Sequence, residues 1–252
     1  MKKLLTYIIL PLLLFSCQDS NSIIWEENFE DTNLNESYWN YQLGDGCPDL
    51  CGWGNNERQI YTKENVKLDN GNLIITATKN GDVYKSSRIT TKDKIEFQYG
   101  TIEVRAKLPT GYGLWPAIWM LGSDIEEKGW PDCGEIDIME YVGKEPRTIY
   151  NSLHTRQSFG NTINSKKTLI GTIEEGFHSY RSTWTKDKID FYIDNKLVYT
   201  FSPETKNDKT WPFDKPFYII INLAIGGNFG GPEVDDTIFP KQFEIDYIKI
   251  WK

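Results

Sequence analysis

The chain has 252 residues, of which 39% are hydrophobic, 14% aromatic and 25% charged, and its formal net charge is −8. This composition excludes a disordered, collagen-like or coiled-coil chain, and the length is sufficient for a single all-β domain with a sizeable core. The acidic balance argues against nucleic acid or an anionic membrane surface as a partner, whereas the nine tryptophans suggest flat aromatic faces for flat neutral ligands such as sugar rings.

The first feature along the chain is a leader. Lys2 and Lys3 precede an apolar run over residues 4–15, which has the length of a secretory signal and is too short to span a membrane. The run ends at Ser16 and Cys17, where the sequence resembles a bacterial lipoprotein box. We therefore predict a signal peptide over residues 1–16, then lipidated Cys17 and a short tether over residues 17–22. The mature protein is expected to be exported and lipid-anchored in a bacterial envelope, at the outer membrane, the cell surface or the periplasmic face; the alternative is ordinary secretion.

Three further cysteines, Cys47, Cys51 and Cys133, bear on the redox environment. In an exported protein Cys47 and Cys51 could close a small disulfide loop and leave Cys133 unpaired. Pairing of Cys133 with either of the other two stays open. A zinc site is disfavoured, because the two histidines, His154 and His178, lie far from these cysteines in the sequence.

Residues 23–252 are predicted to form one domain of short strands. Residues 101–108 alternate between apolar and polar side chains, as a half-buried strand does. Further strands are predicted over residues 72–78, 188–194, 197–201, 217–223 and 243–250. Turns rich in glycine and asparagine separate them, and no long segment has helical periodicity. This pattern predicts an all-β, two-sheet antiparallel sandwich, with the last strand near the first, around residues 23–29.

The candidate chemistry lies in the segment from Gly134 to Tyr141. Glu135 and Asp137 are two apart and share a face of a strand, but strict alternation would send Glu140 to the opposite face. A β-bulge at Met139 would bring all three carboxylates together. Such a cluster suits retaining glycoside hydrolysis, which needs one ionised and one protonated carboxyl group. A solvated acidic edge strand and a calcium site are the alternatives.

This acidic strand and several other segments resemble glycoside hydrolase family 16 in its laminarinase-type form, which carries the additional methionine. The matching segments, in family order, are residues 53–62, 71–75, 99–109, 114–121, 130–140, 221–227 and 243–248. The resemblance implies a β-jelly-roll sandwich with a concave substrate cleft. It also implies that Glu135 is the nucleophile, that Glu140 is the general acid and base, and that Asp137 modulates their protonation.

The same resemblance implies a set of substrate-binding residues around the cleft. Trp115 and Trp119 are four apart on the preceding strand, so they share a face and form a stacking platform; as bare tryptophans they would be core residues. The other implied substrate-binding residues are Asn55, Arg88, Trp130, His154 and Asn222. Arg88 is expected to bond a sugar or to hold a catalytic carboxylate, with a surface ion pair as the alternative. Glu57 is expected to anchor its loop.

No cofactor is implied for catalysis, but the resemblance implies a structural calcium ion. Its ligands would be Asp246, the carbonyl of Gly71 and the segment around Asn28, where the family usually has an acid. Calcium takes six to eight oxygen ligands, often including waters.

The predicted function is an endo-acting retaining hydrolase of β-1,3-glucan, of mixed-linkage β-1,3-1,4-glucan, or of both. The alternatives are a non-catalytic glucan-binding lipoprotein, a transglycosylase and a hydrolase of a galactan such as agar. We expect a monomer whose partner is the polysaccharide, which touches the membrane only through the lipid anchor and does not bind nucleic acid.

Overall fold

The structure, a computed structural model, describes residues 22–252, so the predicted signal peptide, Cys17 and most of the tether lie outside the described residues. In chain order the strands are β1 (Ile23–Glu27), β2 (Asn40–Tyr41), β3 (Gln59–Tyr61), β4 (Val66–Asp69), β5 (Asn72–Asn80), β6 (Val83–Ser86), β7 (Arg88–Thr90), β8 (Glu96–Phe97), β9 (Gly100–Lys107), β10 (Leu114–Gly122), β11 (Glu135–Tyr141), β12 (Thr148–His154), β13 (Ser165–Leu169), β14 (His178–Trp184), β15 (Ile189–Ile193), β16 (Lys196–Phe201), β17 (Phe217–Ile225) and β18 (Lys241–Trp251).

Within residues 22–252, helical structure is confined to short turns between these strands. They are α1 (Ile125–Lys128), α2 (Gly227–Gly230) and two 3-10 turns, Cys51–Gly54 and Asp236–Ile238. Across residues 22–252, none of the helices has the length and apolar character needed to cross a membrane.

Two sheets pack face to face, as the alternating strands predicted. The scaffold sheet has ten strands in the order β16-β15-β14-β9-β18-β5-β6-β3, with β1 beside β18 and β4 beside β5. The site sheet has eight, in the order β13-β12-β11-β10-β17-β7-β2, with β8 beside β17. Pairing is antiparallel except between β3 and β6, which run parallel. β1 pairs with β18, which confirms the predicted neighbourhood of the first and last strands.

The core lies between the two sheets and is filled by alternate side chains of each strand. In β9, Ile102, Val104 and Ala106 are buried and point inward, while the residues between them are partly exposed. Burying apolar surface of this kind is the main term that stabilises such a sandwich. β17 is buried along its whole length because its second face is also covered. That second face and its neighbours, turned away from the core, form what we call the cleft face of the site sheet.

Candidate active site

β11 carries the three acidic side chains, and its pairing is irregular where the sequence predicted a bulge. Against β12, Asp137 pairs with Ser152 and Glu140 pairs with Tyr150. Two residues of β11 therefore oppose the single residue Asn151 of β12, which is the pattern of a β-bulge. The bulge prediction is confirmed.

The bulge sorts the side chains of β11 between the two faces of the site sheet. The apolar side chains are buried in the core between the sheets; they are Ile136, Ile138 and Met139. The carboxyl groups of Glu135, Asp137 and Glu140 lie together on the cleft face, where Asp137 and Glu140 are buried. The apolar side chains on the core face of β11 thus fix the strand that carries the acidic row on its other face.

Tryptophans of β10 lie beside this row, four residues apart on the same face. The Trp115 Nε1–H donates to Glu140 Oε1 at 3.0 Å. The Trp119 Nε1–H donates instead to Asn222 Oδ1 on β17, at 2.8 Å. Both predicted platform residues are therefore on the cleft face, and only Trp115 contacts a carboxyl group of the row.

The opposite end of the row is contacted by Trp130 and His154. The Trp130 Nε1–H donates to Glu135 Oε2 at 2.8 Å. His154 Nε2 lies 3.2 Å from Asp137 Oδ2 and 3.6 Å from Glu135 Oε1. The N–H of Gly160 donates to His154 Nδ1 at 3.1 Å, so Nδ1 is the unprotonated nitrogen and Nε2 carries the hydrogen that faces the carboxylates.

The crowding of these groups changes their protonation. Burial raises the pKa of Glu135 to about 8, and the charge of Asp137 adds to the rise, while His154 and the Trp130 N–H oppose it. Burial also raises the pKa of Glu140 well above its ordinary value, again with Asp137 in the same direction. The row therefore retains protons that isolated carboxyl groups release at neutral pH.

His154 is subject to opposing effects. Burial lowers its pKa, but the hydrogen bond to Asp137 and the negative charges of Glu135, Asp137 and Glu140 outweigh burial and raise the pKa to about 9. A second proton on Nδ1 would break the hydrogen bond from Gly160, which opposes that rise. In either protonation state, Nε2 donates toward the acidic row.

The same cluster bears on the calcium alternative for the acidic strand. Ligand atoms of Glu135, Asp137 and His154 lie within 4.8 Å of one another, close enough to hold a cation. Calcium, however, prefers a shell of six to eight oxygens. Here an imidazole and the indole of Trp130 already direct N–H groups at these oxygens, which favours a hydrogen-bonded acid cluster over a calcium site.

Arg88, on β7, is buried and lies beside the cleft tryptophans. Its guanidinium carbon is 4.5 Å from the ring centre of Trp53 and 4.8 Å from that of Trp119. Its Nε–H donates to Gln42 Oε1. The expectations that Arg88 holds a catalytic carboxylate or forms a surface ion pair are wrong, because its position on β7 puts it against aromatic faces away from β11.

Asn222 and Asn55 belong to a hydrogen-bonded chain that runs away from the acidic row. The Asn222 amide donates to the Tyr61 hydroxyl at 3.1 Å, and that hydroxyl donates to Glu57 Oε2 at 3.0 Å. Glu57 also accepts from Gln59 at 2.6 Å and from Asn55 at 3.3 Å. Glu57 therefore anchors the loop, as predicted.

A depression of about 420 Å³ opens beside the Asn55 loop. Its lining residues are Asn56, Arg58, Gly227, Asn228 and Pro232. Because the Asn228 N–H donates to the Asn55 carbonyl at 2.7 Å, the depression continues the surface on which Asn55 lies.

Sequence reasoning missed several aromatic residues of this face. Phe229 lies edge-on to Trp115, with ring centres 5.4 Å apart, and edge-on to Tyr150 at 4.8 Å. Phe159 lies edge-on to Trp130 at 5.4 Å, and both are about half exposed. The glycine-rich turn before Phe229 was a signal for a loop, but nothing local indicates that this loop folds over a distant strand.

The cysteines take one of the arrangements that the sequence left open. Cys47 and Cys51 form a disulfide. Within the described residues Cys133 is unpaired and buried, and burial raises the pKa of its thiol to about 12. It is therefore an inert thiol beside the acidic strand.

Two of the three predicted calcium ligands, Asn28 and Gly71, lie near Glu30. Asn28 Oδ1 accepts the N–H of Glu30 at 3.4 Å. A Cβ at Gly71 would lie 3.0 Å from Glu30 Oε1, so the carboxylate at Gly71 is that of Glu30. Asp246 forms an ion pair with Arg105.

Comparison with known proteins identifies the family. The chain matches the glycosyl hydrolases family 16 over residues 54–249. The chain belongs to glycosyl hydrolase family 16. It is a glycoside hydrolase, and enzymes of this family need no cofactor for catalysis.

Similar proteins cover most of the chain. A β-glucanase of Rhodothermus marinus is 37% identical over 91% of this chain and 85% of that protein. A glucan endo-1,3-β-glucosidase of Cryptopygus antarcticus is 36% identical over 96% of this chain and 97% of that protein. The crystal structure of a laminarinase from Flavobacterium sp. UMI-01 is 64% identical, covers 91% of this chain and 100% of that one, and superposes with a TM-score of 0.90.

Proposed function

We propose that this family 16 enzyme cleaves internal bonds of β-1,3-glucan, and of mixed-linkage β-1,3-1,4-glucan, with retention of anomeric configuration. The observation that carries the proposal is the row of Glu135, Asp137 and Glu140 on one cleft face, where separate donors contact its two ends. Retaining hydrolysis requires two carboxyl groups about 5–5.5 Å apart, and a bulged strand can supply this spacing. The similarity to laminarinases and endo-1,3-β-glucanases supports this choice of polymer.

In the first step Glu135 attacks the anomeric carbon and Glu140 protonates the leaving oxygen, which gives a covalent glycosyl-enzyme. In the second step Glu140 takes a proton from water, and the resulting nucleophile displaces Glu135. His154 and Trp130 both direct N–H groups at Glu135. They oppose the rise in the pKa of Glu135, and the form that reacts is the one in which Glu135 is ionised and Glu140 keeps its proton.

Substrate binding follows from the rings and amides beside the row. Aromatic faces such as those of Trp115 and Phe229 provide apolar contact area for the C–H faces of sugar rings. The Arg88, Asn55 and Asn222 side chains offer polar groups for hydroxyls. Water is the nucleophile in hydrolysis, whereas a second sugar in its place would give transglycosylation.

The test is to incubate the purified protein with laminarin and barley β-glucan, and to follow reducing ends, product sizes and the anomer formed first by NMR. We expect internal cleavage and a β-anomer, and no turnover by Glu135→Gln, which should still bind glucan. An α-anomer, or near wild-type turnover by that variant, would contradict the mechanism. Binding without new reducing ends would indicate a glucan-binding protein. Longer products in the presence of an added acceptor would indicate a transglycosylase, and cleavage of agar alone would indicate a galactanase.

We also propose that the enzyme is a lipoprotein, exported and anchored through Cys17. The leader and its lipoprotein-like box support this proposal. Metabolic labelling with a fatty-acid probe should label the membrane fraction of the wild-type protein. The Cys17→Ser variant should remain unlabelled, and equal labelling of both proteins would contradict the proposal.

A structural calcium ion is a further proposal for the face away from the cleft. The oxygens of Gly71, Glu30, Asn28 and Asp246 are of the kind that calcium prefers; the ion would stabilise the fold and supply no chemistry. Added calcium should raise Tm, and a chelator should reverse the increase. An unchanged Tm, or an equal effect in Asp246→Asn, would contradict it.

A further inference from the structure

Asn151 lies directly opposite the bulge that shapes the acidic row. Its neighbours on β12, Ser152 and Tyr150, pair with Asp137 and Glu140 and share their cleft face. Asn151 therefore points the other way, into the core, where none of its surface is exposed. It is a polar side chain at the place where β11 has one residue too many.

The Asn151 amide makes one specific contact there. Its Nδ2–H donates to the carbonyl oxygen of Ile138 at 2.6 Å. Within residues 22–252 its Oδ1 has no hydrogen-bond partner. A bulge disrupts the backbone ladder, and a backbone carbonyl left unpaired in an apolar core is costly. Burial of the Asn151 amide therefore has an unfavourable desolvation free energy, and the same amide provides a hydrogen bond to the Ile138 carbonyl in the bulge.

We propose that Asn151 is a positioning residue for catalysis, which fixes the peptide plane of Ile138 and thereby the direction in which Glu140 leaves the strand. This inference rests on the proposed function. Ile138 and Met139 lie between Asp137 and Glu140, so a rotation of the Ile138 peptide group changes the spacing between Glu140 and Glu135. Retaining hydrolysis depends on that spacing.

The test compares two buried asparagines in the full chain, purified in detergent. Asn151→Leu keeps the size of the side chain and removes the donor. The matched control is Asn65→Leu, since Asn65 is also buried and its Nδ2–H donates to the Thr76 carbonyl at 2.6 Å, in the scaffold sheet. Should Asn151→Leu fail to fold, Asn151→Ser, with a smaller volume change, takes its place.

The expected result is a split between kinetic constants that a purely structural residue would not produce. On laminarin, Asn151→Leu should lose at least tenfold in kcat with KM within about twofold, because Trp119 and Arg88 are untouched. The alkaline limb of its kcat/KM profile should move, because the hydrogen bond between Trp115 and Glu140 depends on the same geometry. Asn65→Leu should lower Tm and leave kcat, KM and the limb unchanged.

A loss of stability without a change in kinetics would overturn the inference. If Asn151→Leu lowers Tm as Asn65→Leu does but keeps kcat and the alkaline limb, Asn151 is only a packing residue and the inference is overturned. Absence of glucan cleavage by the wild-type protein would contradict the proposed function alone. An NMR titration of ¹³C-labelled glutamate carboxyl groups then decides the inference: a shifted Glu140 titration in Asn151→Leu but not in Asn65→Leu supports it, and identical titrations overturn it.

Discussion

At the scale of single residues, the acidic row is made asymmetric by its neighbours and not by its own carboxyl groups. Each glutamate accepts one indole N–H, Glu135 from Trp130 and Glu140 from Trp115. His154 contacts Glu135 and Asp137. Because this additional donor is at one end of the row, two chemically identical glutamates acquire different roles, as in other sites where environment separates paired acids.

The Trp115 hydrogen bond predicts a change in pH dependence. Trp115→Phe removes the N–H that favours ionised Glu140 and keeps an aromatic ring against Phe229. The pKa of Glu140 should rise further, and the alkaline limb of kcat/KM should move up by about 0.5–1 pH unit, the scale of one hydrogen bond of roughly 1 kcal/mol. Trp119→Phe is the control, since its indole bonds to Asn222, and its limb should not move. An equal shift in both variants would refute the assignment of Glu140 as the acid.

The carboxyl group of Glu135 is needed for activity, but we predict that it lowers the stability of the folded protein as pH rises. Its pKa rises from 4.5 in an unfolded chain to about 8 in the folded one, so between these pH values the folded protein holds a proton that the unfolded protein has released. The stability due to that proton is complete below pH 4.5 and is lost as pH rises through about 8.

Glu135→Gln removes this loss. At pH 8 its Tm should exceed that of the wild type by at least about 2–4 °C, the change expected per kcal/mol for a domain of this size, and the difference should shrink toward pH 4. Scanning calorimetry over this pH range measures it. A difference that is constant with pH would show that the carboxyl group is not the cause.

At the scale of elements, the strands and the bulge were predictable because both are local. Alternation predicted a strand over residues 101–108, and β9 runs over Gly100–Lys107. The parity of three acids against apolar neighbours was sufficient to predict the bulge. Apart from the neighbourhood of the first and last strands, the partners of these elements were not predictable. Asn222 and Tyr61, which share a hydrogen bond, are 161 positions apart, and no local sequence pattern indicates such a contact.

The disulfide loop predicts a link between fold stability and binding. Cys47 and Cys51 close the loop that leads into Trp53, whose ring faces Arg88. Replacing both cysteines by serine frees a loop of about five residues, which the chain-entropy account values at about 2 kcal/mol, or about 4–8 °C in Tm. KM should rise severalfold while kcat stays within about twofold, since the acidic row is on another element.

A reductant provides the control for this variant. Dithiothreitol should lower the Tm and raise the KM of the wild type toward the values of the double variant, and should leave the double variant itself unchanged. If the decrease in Tm is not accompanied by the increase in KM, the loop does not support the Trp53 side of the cleft.

At the scale of the whole molecule, the two sheets have different roles: both bury the core, and only the site sheet holds the acidic row. The scaffold sheet presents alternating apolar side chains to the core, and the site sheet uses the same core on one face and holds the acidic row on the other. Composition and alternation predicted this sandwich because burial of apolar surface determines it. Arg88 shows the limit: its residue type suggested a carboxylate partner, whereas the stacking of strands placed it between tryptophan rings.

For the cleft as a whole, we predict that β-1,3-glucan stabilises the folded state more than a galactan does. A ligand that binds only the folded protein at 100 times its Kd raises stability by about 2.7 kcal/mol, which is about 5–11 °C in Tm for this size of domain. Glu135→Gln should show this rise with β-1,3-gluco-oligosaccharides, because the inactive variant leaves them intact. Agaro-oligosaccharides, which are fragments of a galactan, serve as the comparison. A larger Tm rise with the galactan would contradict the proposed glucan specificity while leaving the acidic row and its mechanism in place.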